Sequence, residues 1–189
     1  MAVLYVPEPN EKQKLFLAAA QKYIAYGGAR GGGKSWAVRT KASILANHYS
    51  GIRIMIMRRT YPELLANHIE ILKKELVPGF ARYNATEKQM TFRNGSVIKF
   101  MYCKNDADLG NIQGHEYDVI FVDEATNLTE KQLRAITACC RGVNNFPKHV
   151  YFTMNPGGPG HGFVKRLFID RRFNARENPD EYIFIQALV

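Results

Sequence analysis

Short apolar runs alternate along the chain with segments in which apolar residues recur at helical spacing. The runs predict strands buried within a parallel sheet, and they cover Tyr23–Tyr26, Ile52–Met57, Asp118–Val122, Val150–Met154 and Tyr182–Val189. The intervening segments predict helices, which cover residues 11–21, 36–48, 62–76, 129–140 and 163–173. Strands and helices in this order predict an α/β fold with a mainly parallel central sheet flanked by helices.

One region departs from this alternation. Residues 90–102 predict a β-hairpin, because Asn94-Gly95 is a strong two-residue turn signal between strand-forming residues. No apolar run in the sequence approaches the length of a membrane span. We expect one domain over residues 1–189, and because the chain ends inside an apolar run we expect that domain to be part of a longer protein.

The composition adds one constraint, a strong positive charge. The 189 residues include 26 Lys and Arg against 17 Asp and Glu, a formal net charge of +9. This balance favours a polyanionic partner, of which nucleic acid is the commonest, although a basic surface also serves solubility alone. The three cysteines and five histidines show no zinc-binding spacing, and the N-terminal residues lack the apolar stretch of a signal peptide.

Residues 28–35 carry the most specific motif in the sequence. They fit G-x-x-x-x-G-K-[ST], the phosphate-binding P-loop, and lie between a predicted strand and a predicted helix. Lys34 is expected to reach the β- and γ-phosphates of ATP, Ser35 to bind Mg²⁺, and Arg30 to stabilise charge on the γ-phosphate. Backbone N–H groups of the loop are expected to hold the phosphates at the helix N-terminus. The predicted nucleotide-binding residues of the loop are Gly28, Ala29, Arg30, Gly31, Gly32, Gly33, Lys34 and Ser35.

A second motif follows the apolar run Val119–Val122, which ends in Asp123 and Glu124. Because ligands bind at the carboxyl ends of parallel strands, both acids are expected beside the P-loop. Asp123 is expected to hold Mg²⁺ together with Ser35. Glu124 is expected to act as the general base for the attacking water. The predicted catalytic residues are therefore Glu124, Lys34 and Arg30.

Three more residues are expected to respond to the nucleotide. Thr153 and Asn155 lie at the end of the run Val150–Met154, where they are expected to sense the γ-phosphate and couple its loss to movement. The Asn-Pro-Gly-Gly sequence at this point also fits an ordinary turn. Gln13, upstream of the P-loop, has an amide that can form paired hydrogen bonds with adenine, and an exposed helical glutamine is the alternative.

In combination these motifs resemble the large terminase subunit of tailed bacteriophages. The resemblance covers about residues 5–189 and rests on the P-loop with its internal arginine, the Asp123-Glu124 pair and Thr153-Met154-Asn155-Pro156. Gln13 matches the adenine motif of that family, and Arg58-Arg59-Thr60 resembles its basic motif after a strand.

The branch of P-loop proteins is also indicated. The strand-like run Ile52–Met57 lies between the two motifs in the sequence, and a glutamate follows the aspartate. These features resemble the ASCE, RecA-like P-loop NTPases, which have an additional central strand and a catalytic glutamate.

The family resemblance implies an activity and a set of partners. Large terminases are ATP- and Mg²⁺-dependent motors that move double-stranded viral DNA into a procapsid. They assemble as a homo-oligomeric ring on the portal protein and work with a small terminase subunit, which implies the cytoplasm of an infected bacterium and no membrane. The second, nuclease domain of the family does not fit in 189 residues, so we expect no DNA cleavage by this chain.

Basic residues are the predicted contacts to DNA phosphates. They are Arg58, Arg59, Lys165, Arg166, Arg171 and Arg172. One departure from the family concerns the arginine that members often carry shortly before the acidic strand and supply to a neighbouring subunit. Residues 111–115 contain no arginine, and Lys104, Arg134 and Arg141 are unranked substitutes.

Two other functions fit the same motifs. A helicase or recombinase of the ASCE class would use the same nucleotide chemistry to separate or exchange strands. A nucleotide-binding module with little turnover would use the P-loop to regulate docking.

Overall fold

The computed structural model describes residues 7–28 and 31–187. The strands are β1 (Tyr23–Gly28), β2 (Arg53–Arg58), β3 (Ala81–Asn84), β4 (Gln89–Phe92), β5 (Val97–Tyr102), β6 (Val119–Val122), β7 (His149–Met154) and β8 (Tyr182–Ala187). They form one eight-stranded sheet in the order β3-β4-β5-β2-β6-β7-β1-β8. Neighbours from β5 to β8 in this order are parallel, whereas β4 is antiparallel to both β3 and β5.

The helices lie between these strands along the chain. They are α1 (Glu11–Ala18), α2 (Lys34–His48), α3 (Tyr61–Leu64), α4 (Glu70–Glu75), α5 (Glu130–Thr137) and α6 (His161–Phe168). A five-residue π-helical segment, Leu65–Ile69, joins α3 directly to α4 and is called the π segment below. Short 3₁₀ turns cover Asp106–Asn111, Ala125–Asn127 and Pro179–Glu181.

The α/β fold predicted from the alternation of strands and helices is confirmed. The hairpin is formed by β4 and β5, and β3 extends it by one strand that the sequence pattern does not reveal. The helix predicted over residues 62–76 is present but interrupted by the π segment. Local capping explains where two helices begin: Asn10 with Gln13 at α1, and Thr129 with Gln132 at α5, form reciprocal capping boxes.

Each face of the sheet packs against its own layer of helices. Alternate strand residues point to opposite faces, so Ile54 and Ile56 join the core beneath α1, α2 and α4, whereas Met55 and Met57 join the core beneath α5 and α6. This double burial explains why the central strands are apolar throughout rather than alternating. No helix in the described part of the chain is long and apolar enough to cross a bilayer.

The sheet order sets which loops meet at the carboxyl edge. The strands β2, β6, β7 and β1 are consecutive neighbours, so the residues that follow them converge. The strand that separates the P-loop strand from the acidic strand is β7. The predicted run in β2 lies between the two motifs only in sequence and flanks β6 on its other side.

Candidate active site

The P-loop connects β1 directly to the first turn of α2. Gly33 precedes the helix with a φ of 65°, a left-handed conformation that glycine adopts without steric cost. The hydroxyl of the buried Tyr26 donates a hydrogen bond of 3.3 Å to the Gly32 carbonyl and so ties the loop to its own strand. Ala29 and Arg30 lie outside the described residues, so the roles expected of them stay predictions.

Gln13 lies against the P-loop. A Cβ placed on Gly33 would overlap the Gln13 Nε2 atom, so the two residues are in close contact. The other amide atom, Oε1, accepts a 2.9 Å hydrogen bond from the Asn10 N–H at the start of α1. Gln13 therefore joins α1 to the loop, and its amide oxygen is already engaged in the capping box.

Asp123 is the most heavily contacted side chain at this edge. Its carboxylate is fully buried, and Oδ1 accepts a hydrogen bond from the Thr153 hydroxyl. Its Oδ2 accepts hydrogen bonds from the Ser35 hydroxyl at 3.0 Å and from His68 Nε2 at 2.8 Å. The Arg58 Nε atom lies 2.9 Å from the same oxygen.

These contacts decide the charge of Asp123. Burial alone would raise its pKa, but the hydrogen bond from His68, the Arg58 guanidinium and the Thr153 hydroxyl outweigh that effect and hold the pKa well below its usual value. Asp123 is therefore an anion at neutral pH.

The donor set fits a magnesium ion bound with a nucleotide. Ser35 and Asp123 place a hydroxyl and a carboxylate oxygen 3.0 Å apart where α2 begins, and Mg²⁺ in such sites uses one or two protein oxygens plus phosphates and water. Because both carboxylate oxygens of Asp123 already accept hydrogen bonds, coordination through water suits this residue. Among the described residues, no cluster of three or more His, Cys, Asp or Glu side chains could hold a metal by itself.

Glu124 has an unusual backbone and a restrained side chain. Its φ of 56° is left-handed, a conformation rare outside glycine and typical of functional sites. Its N–H donates to the Thr153 hydroxyl at 2.9 Å. Its two carboxylate oxygens contact the Arg58 guanidinium at 2.8 Å and the Asn127 amide at 3.0 Å.

Thr153 and Asn155 have different surroundings. Thr153 is fully buried and bridges the two acids, since its hydroxyl bonds both the Asp123 carboxylate and the Glu124 N–H. Asn155 instead lines the cleft, and its buried Oδ1 has no hydrogen-bond partner within residues 7–28 and 31–187. Of the two residues expected to sense the γ-phosphate, only Asn155 faces the space where a nucleotide would bind.

The cleft has a volume of about 580 Å³ and lies between the P-loop and the ends of β6 and β7. Its lining includes the P-loop, Trp36, Arg39, Glu124 and the loop at Asn155–Gly158. Lys34 is largely buried here, and burial lowers its pKa, while the Asp123 and Glu124 carboxylates act to raise it. A partly desolvated ammonium group beside two carboxylates suits the binding of phosphate.

Several contacts in the site are not evident from the motifs. His68 and Arg39 come from helices, and Asn127 from a 3₁₀ turn, with no motif to mark them. His68 has one sequence signal, because it falls midway between Leu64 and Leu72 on the apolar face of its helix. A polar residue at a core position of this kind requires a buried partner.

The structure corrects the placement expected for Arg58. The sequence predicts a surface contact to DNA phosphate, but only 4% of the residue is exposed, and its guanidinium pairs with Asp123 and Glu124. Arg58 ends a central strand whose carboxyl edge is covered by the acidic loop. It belongs to the active-site cluster, whereas its neighbour Arg59 is exposed.

The basic residues around α6 are mostly engaged within the chain. Lys165 pairs with Asp170, and Arg166 forms a two-pronged pair with Glu177 at 2.8 and 2.9 Å. Arg171 donates to the carbonyls of Pro179 and Tyr182. Arg172 is exposed and makes no ion pair among the described residues.

The three substitutes for a trans-acting arginine differ in whether they form ion pairs within the chain. Arg134 pairs with Glu130, and Arg141 pairs with Glu116 at 3.3 Å. Lys104 is exposed after β5 and has no ion pair in the described part of the chain.

The fold and motifs agree with comparisons to known proteins. The chain is 18% identical to the large terminase of a thermophilic bacteriophage, with a TM-score of 0.76 over 95% of this chain and 46% of that one. It is 15% identical to the large terminase of bacteriophage HK97, with a TM-score of 0.68 over 96% of this chain and 39% of that one. The ATPase domain of the Thermus phage P74-26 large terminase is 12% identical, with a TM-score of 0.66 over 95% of this chain and 80% of that one.

These likenesses establish the fold, and this chain spans less than half the length of the first two of these proteins. No curated protein matches the sequence. A family model described as phage terminase large subunit matches residues 20–187, nearly the whole chain. The chain therefore belongs to the phage terminase large subunit family.

Proposed function

We propose that this chain binds and hydrolyses ATP and that hydrolysis powers the packaging of viral DNA. The observation that carries the first part is that Lys34, Ser35 and Glu124 line one cleft and that Asp123 lies directly behind Ser35, bonded to its hydroxyl. A P-loop at a helix N-terminus binds phosphate, and an adjacent pair of acids supplies a metal site and a base.

Each side chain has a distinct part in this reaction. Lys34 and the loop N–H groups hold the β- and γ-phosphates and stabilise the charge on the departing γ-phosphoryl group. Glu124 accepts a proton from the attacking water. Arg58 and Asn127 fix the Glu124 carboxylate, and Thr153 fixes its backbone. The Arg30 guanidinium stabilises the negative charge on the γ-phosphate.

Magnesium would be held by the Ser35 hydroxyl and, through water, by Asp123. When bound, the ion neutralises charge on the β- and γ-phosphate oxygens. Related proteins support the choice of nucleotide, since the large terminase of the thermophilic bacteriophage has been determined in complex with ADP and with ATP-γ-S. Asn155 lines the cleft, and its amide NH₂ group is suited to donate a hydrogen bond to the γ-phosphate and so to read its presence.

The mechanical part of the proposal rests on the family. We infer that the chain is the ATPase domain of a packaging motor that moves double-stranded DNA, with the portal protein and a small terminase subunit as partners, in a ring of identical subunits within the infected cell. DNA contact is proposed for the exposed Arg59 and Arg172 rather than for Arg58. Phosphate contact of this kind is independent of sequence and weakens steeply with salt.

The test of the enzymatic part is ATP turnover by the wild-type chain, Lys34→Ala and Glu124→Ala. Glu124→Ala is expected to lower kcat by at least about 100-fold, because it removes the general base. Lys34→Ala is expected to weaken nucleotide binding as well. Equal turnover by all three proteins would overturn the enzymatic proposal and favour a docking module that only binds nucleotide. Strand separation by the full-length protein would instead favour a helicase.

A further inference from the structure

His68 is a fully buried histidine that contacts the active site from outside every recognised motif. It lies in the π segment on the helix between β2 and β3, and 0% of its surface is exposed. Its Nε2 atom is 2.8 Å from Asp123 Oδ2, the same oxygen that the Ser35 hydroxyl contacts.

The hydrogen bond has only one possible direction. The Asp123 carboxylate can only accept, so Nε2 carries the hydrogen and donates it. The other ring nitrogen, Nδ1, is buried and has no partner among the described residues. A polar ring in a core position whose hydrogen bond goes to Asp123 is explained by that bond rather than by packing.

The π segment is what brings His68 to this position. The Glu70 N–H bonds to the Leu65 carbonyl, five residues back, so the helix contains one extra residue in this turn. That extra residue changes the direction in which the following side chains point. Isolated π turns of this kind are rare and occur frequently at functional sites.

The helix that follows the P-loop holds the π segment in place. Arg39 of α2 donates a 2.6 Å hydrogen bond to the Asn67 carbonyl, inside the segment, and pairs with Glu75 at the end of α4. Only 6% of Arg39 is exposed, and it also lines the cleft. The P-loop helix therefore contacts Asp123 by two routes, directly through Ser35 and indirectly through Arg39 and His68.

We propose that His68 is a positioning residue that orients the Asp123 carboxylate toward Ser35 for binding of the nucleotide's magnesium ion. Without the His68 donor, Oδ2 keeps Ser35 and Arg58 as neighbours, and Arg58 pulls it toward Glu124. With the donor, Oδ2 stays beside the P-loop serine. The inference rests on the proposed function, because it assumes a nucleotide bound with magnesium at this cleft.

The experiment compares two amides that differ only in reach. The Nε2 atom of glutamine can occupy the place of the histidine Nε2, whereas the asparagine amide is one methylene shorter. His68→Gln is therefore expected to keep the bond to Asp123, and His68→Asn to lose it. The matched control is His149→Asn, which changes a half-buried histidine whose Nδ1 bonds the Gln21 carbonyl at the opposite end of β7.

The readout is the affinity for ATP-γ-S with Mg²⁺ relative to its affinity in EDTA. Trp36, the only tryptophan in the chain, lines the cleft and supplies a fluorescence signal for binding. In His68→Asn the ratio of the affinity with Mg²⁺ to the affinity in EDTA is expected to fall by about tenfold or more. His68→Gln and His149→Asn are expected to keep the wild-type ratio. Thermal unfolding of each variant is measured to check that the variant is folded.

The outcomes separate this inference from the proposed function. If His68→Asn loses thermal stability but keeps the wild-type gain from Mg²⁺, the histidine has only a packing role and the inference is wrong. If His68→Gln loses the gain from Mg²⁺ as completely as His68→Asn, the hydrogen bond from Nε2 to Asp123 is not what matters and the inference is wrong. If the wild type binds the nucleotide with a Mg²⁺ gain but does not hydrolyse ATP, the inference stands and the proposed hydrolysis fails.

Discussion

Arg58 and Arg166 are both arginines paired with carboxylates, but their environments differ. Arg58 lies at the carboxyl edge of the sheet and pairs with Asp123 and Glu124, with only 5% of its side chain exposed. Arg166 lies on α6 and pairs with Glu177, with 30% of its side chain exposed. A basic run in a sequence therefore indicates neither a free cation nor a DNA contact; the strand or helix that carries the residue decides its role.

The two pairs also differ in what would remain after a truncation. Removing Arg58 takes the shared cation from the buried Asp123 carboxylate and from the partly exposed Glu124, the proposed general base. Removing Arg166 leaves Glu177, 10% of whose side chain is exposed, with the Asn174 N–H and the Arg134 guanidinium at 4.0 Å as its remaining partners. The first loss is expected to affect chemistry and stability together, and the second to affect stability alone.

The largest expected effect is that of Arg58→Ala. Breaking a buried ion pair by removing one partner costs about 3 kcal/mol or more, and displacement of Glu124 is expected to lower ATP turnover by about 100-fold. Denaturant unfolding and ATP turnover measure the two effects. Arg166→Ala is the matched control, with an expected loss of about 1 kcal/mol and turnover within about twofold of wild type. Similar effects of the two substitutions on turnover would contradict an active-site role for Arg58 that Arg166 lacks.

Gly158→Ala tests whether the active site and the region around α6 are coupled through the loop between β7 and α6. A Cβ on Gly158 would overlap the Thr126 carbonyl oxygen, and the glycine has a φ of 86°. We expect a loss of stability of about 2–4 kcal/mol from the left-handed backbone and the clash together. Turnover is also expected to fall, because the Thr126 turn carries Asn127 next to Glu124.

Gly157→Ala supplies the control for this substitution. Its φ of 97° is equally unfavourable for alanine, but among the described residues no atom beyond the two chain neighbours lies within 4 Å of the added Cβ. The expected loss of stability is about 1–2 kcal/mol, and turnover is expected to fall less than in Gly158→Ala because the turn that carries Asn127 is not displaced. Equal behaviour of the two variants in unfolding and turnover would show that the contact with Thr126 does not matter.

Acid is expected to weaken the Arg166–Glu177 pair. The hydrogen bond from Arg166 is the main cause that lowers the Glu177 pKa from 4.5 to about 2. A lowered pKa stabilises the fold above the unfolded value, and that contribution is lost as the pH falls through the folded value. The difference in unfolding free energy between wild type and Glu177→Gln should therefore shrink below pH 4.5 and vanish near 2. A difference that stays constant over this range would contradict the assignment.

The sequence predicts the fold well because its strongest signals are local. The apolar runs that become β1, β2, β6 and β7 are buried on both faces, and such strands need no long-range information to be recognised. The P-loop and the Asp123-Glu124 pair are recognisable for the same reason, since each places its chemistry immediately after a strand. The edge strand β3 has no such pattern, because it is exposed on alternate residues.

The contacts that complete the site depend on distant parts of the chain. His68 reaches Asp123 across 55 residues of sequence, from within a π segment that no motif marks. Arg58 reads as a basic surface residue until the sheet order places β2 beside β6. The order of strands in a sheet is a tertiary property, so neither contact follows from the local pattern.

We propose that the acids at the carboxyl edge of β6 catalyse hydrolysis of the ATP held by the P-loop. Single-turnover conversion of bound ATP to ADP by wild type and by Glu124→Gln tests it most directly, because both proteins are compared with the nucleotide already bound. We predict that the wild type converts the bound ATP and that Glu124→Gln binds it with similar affinity but converts it at least about 100-fold more slowly. Conversion at the same rate by both proteins would show that Glu124 is not the general base.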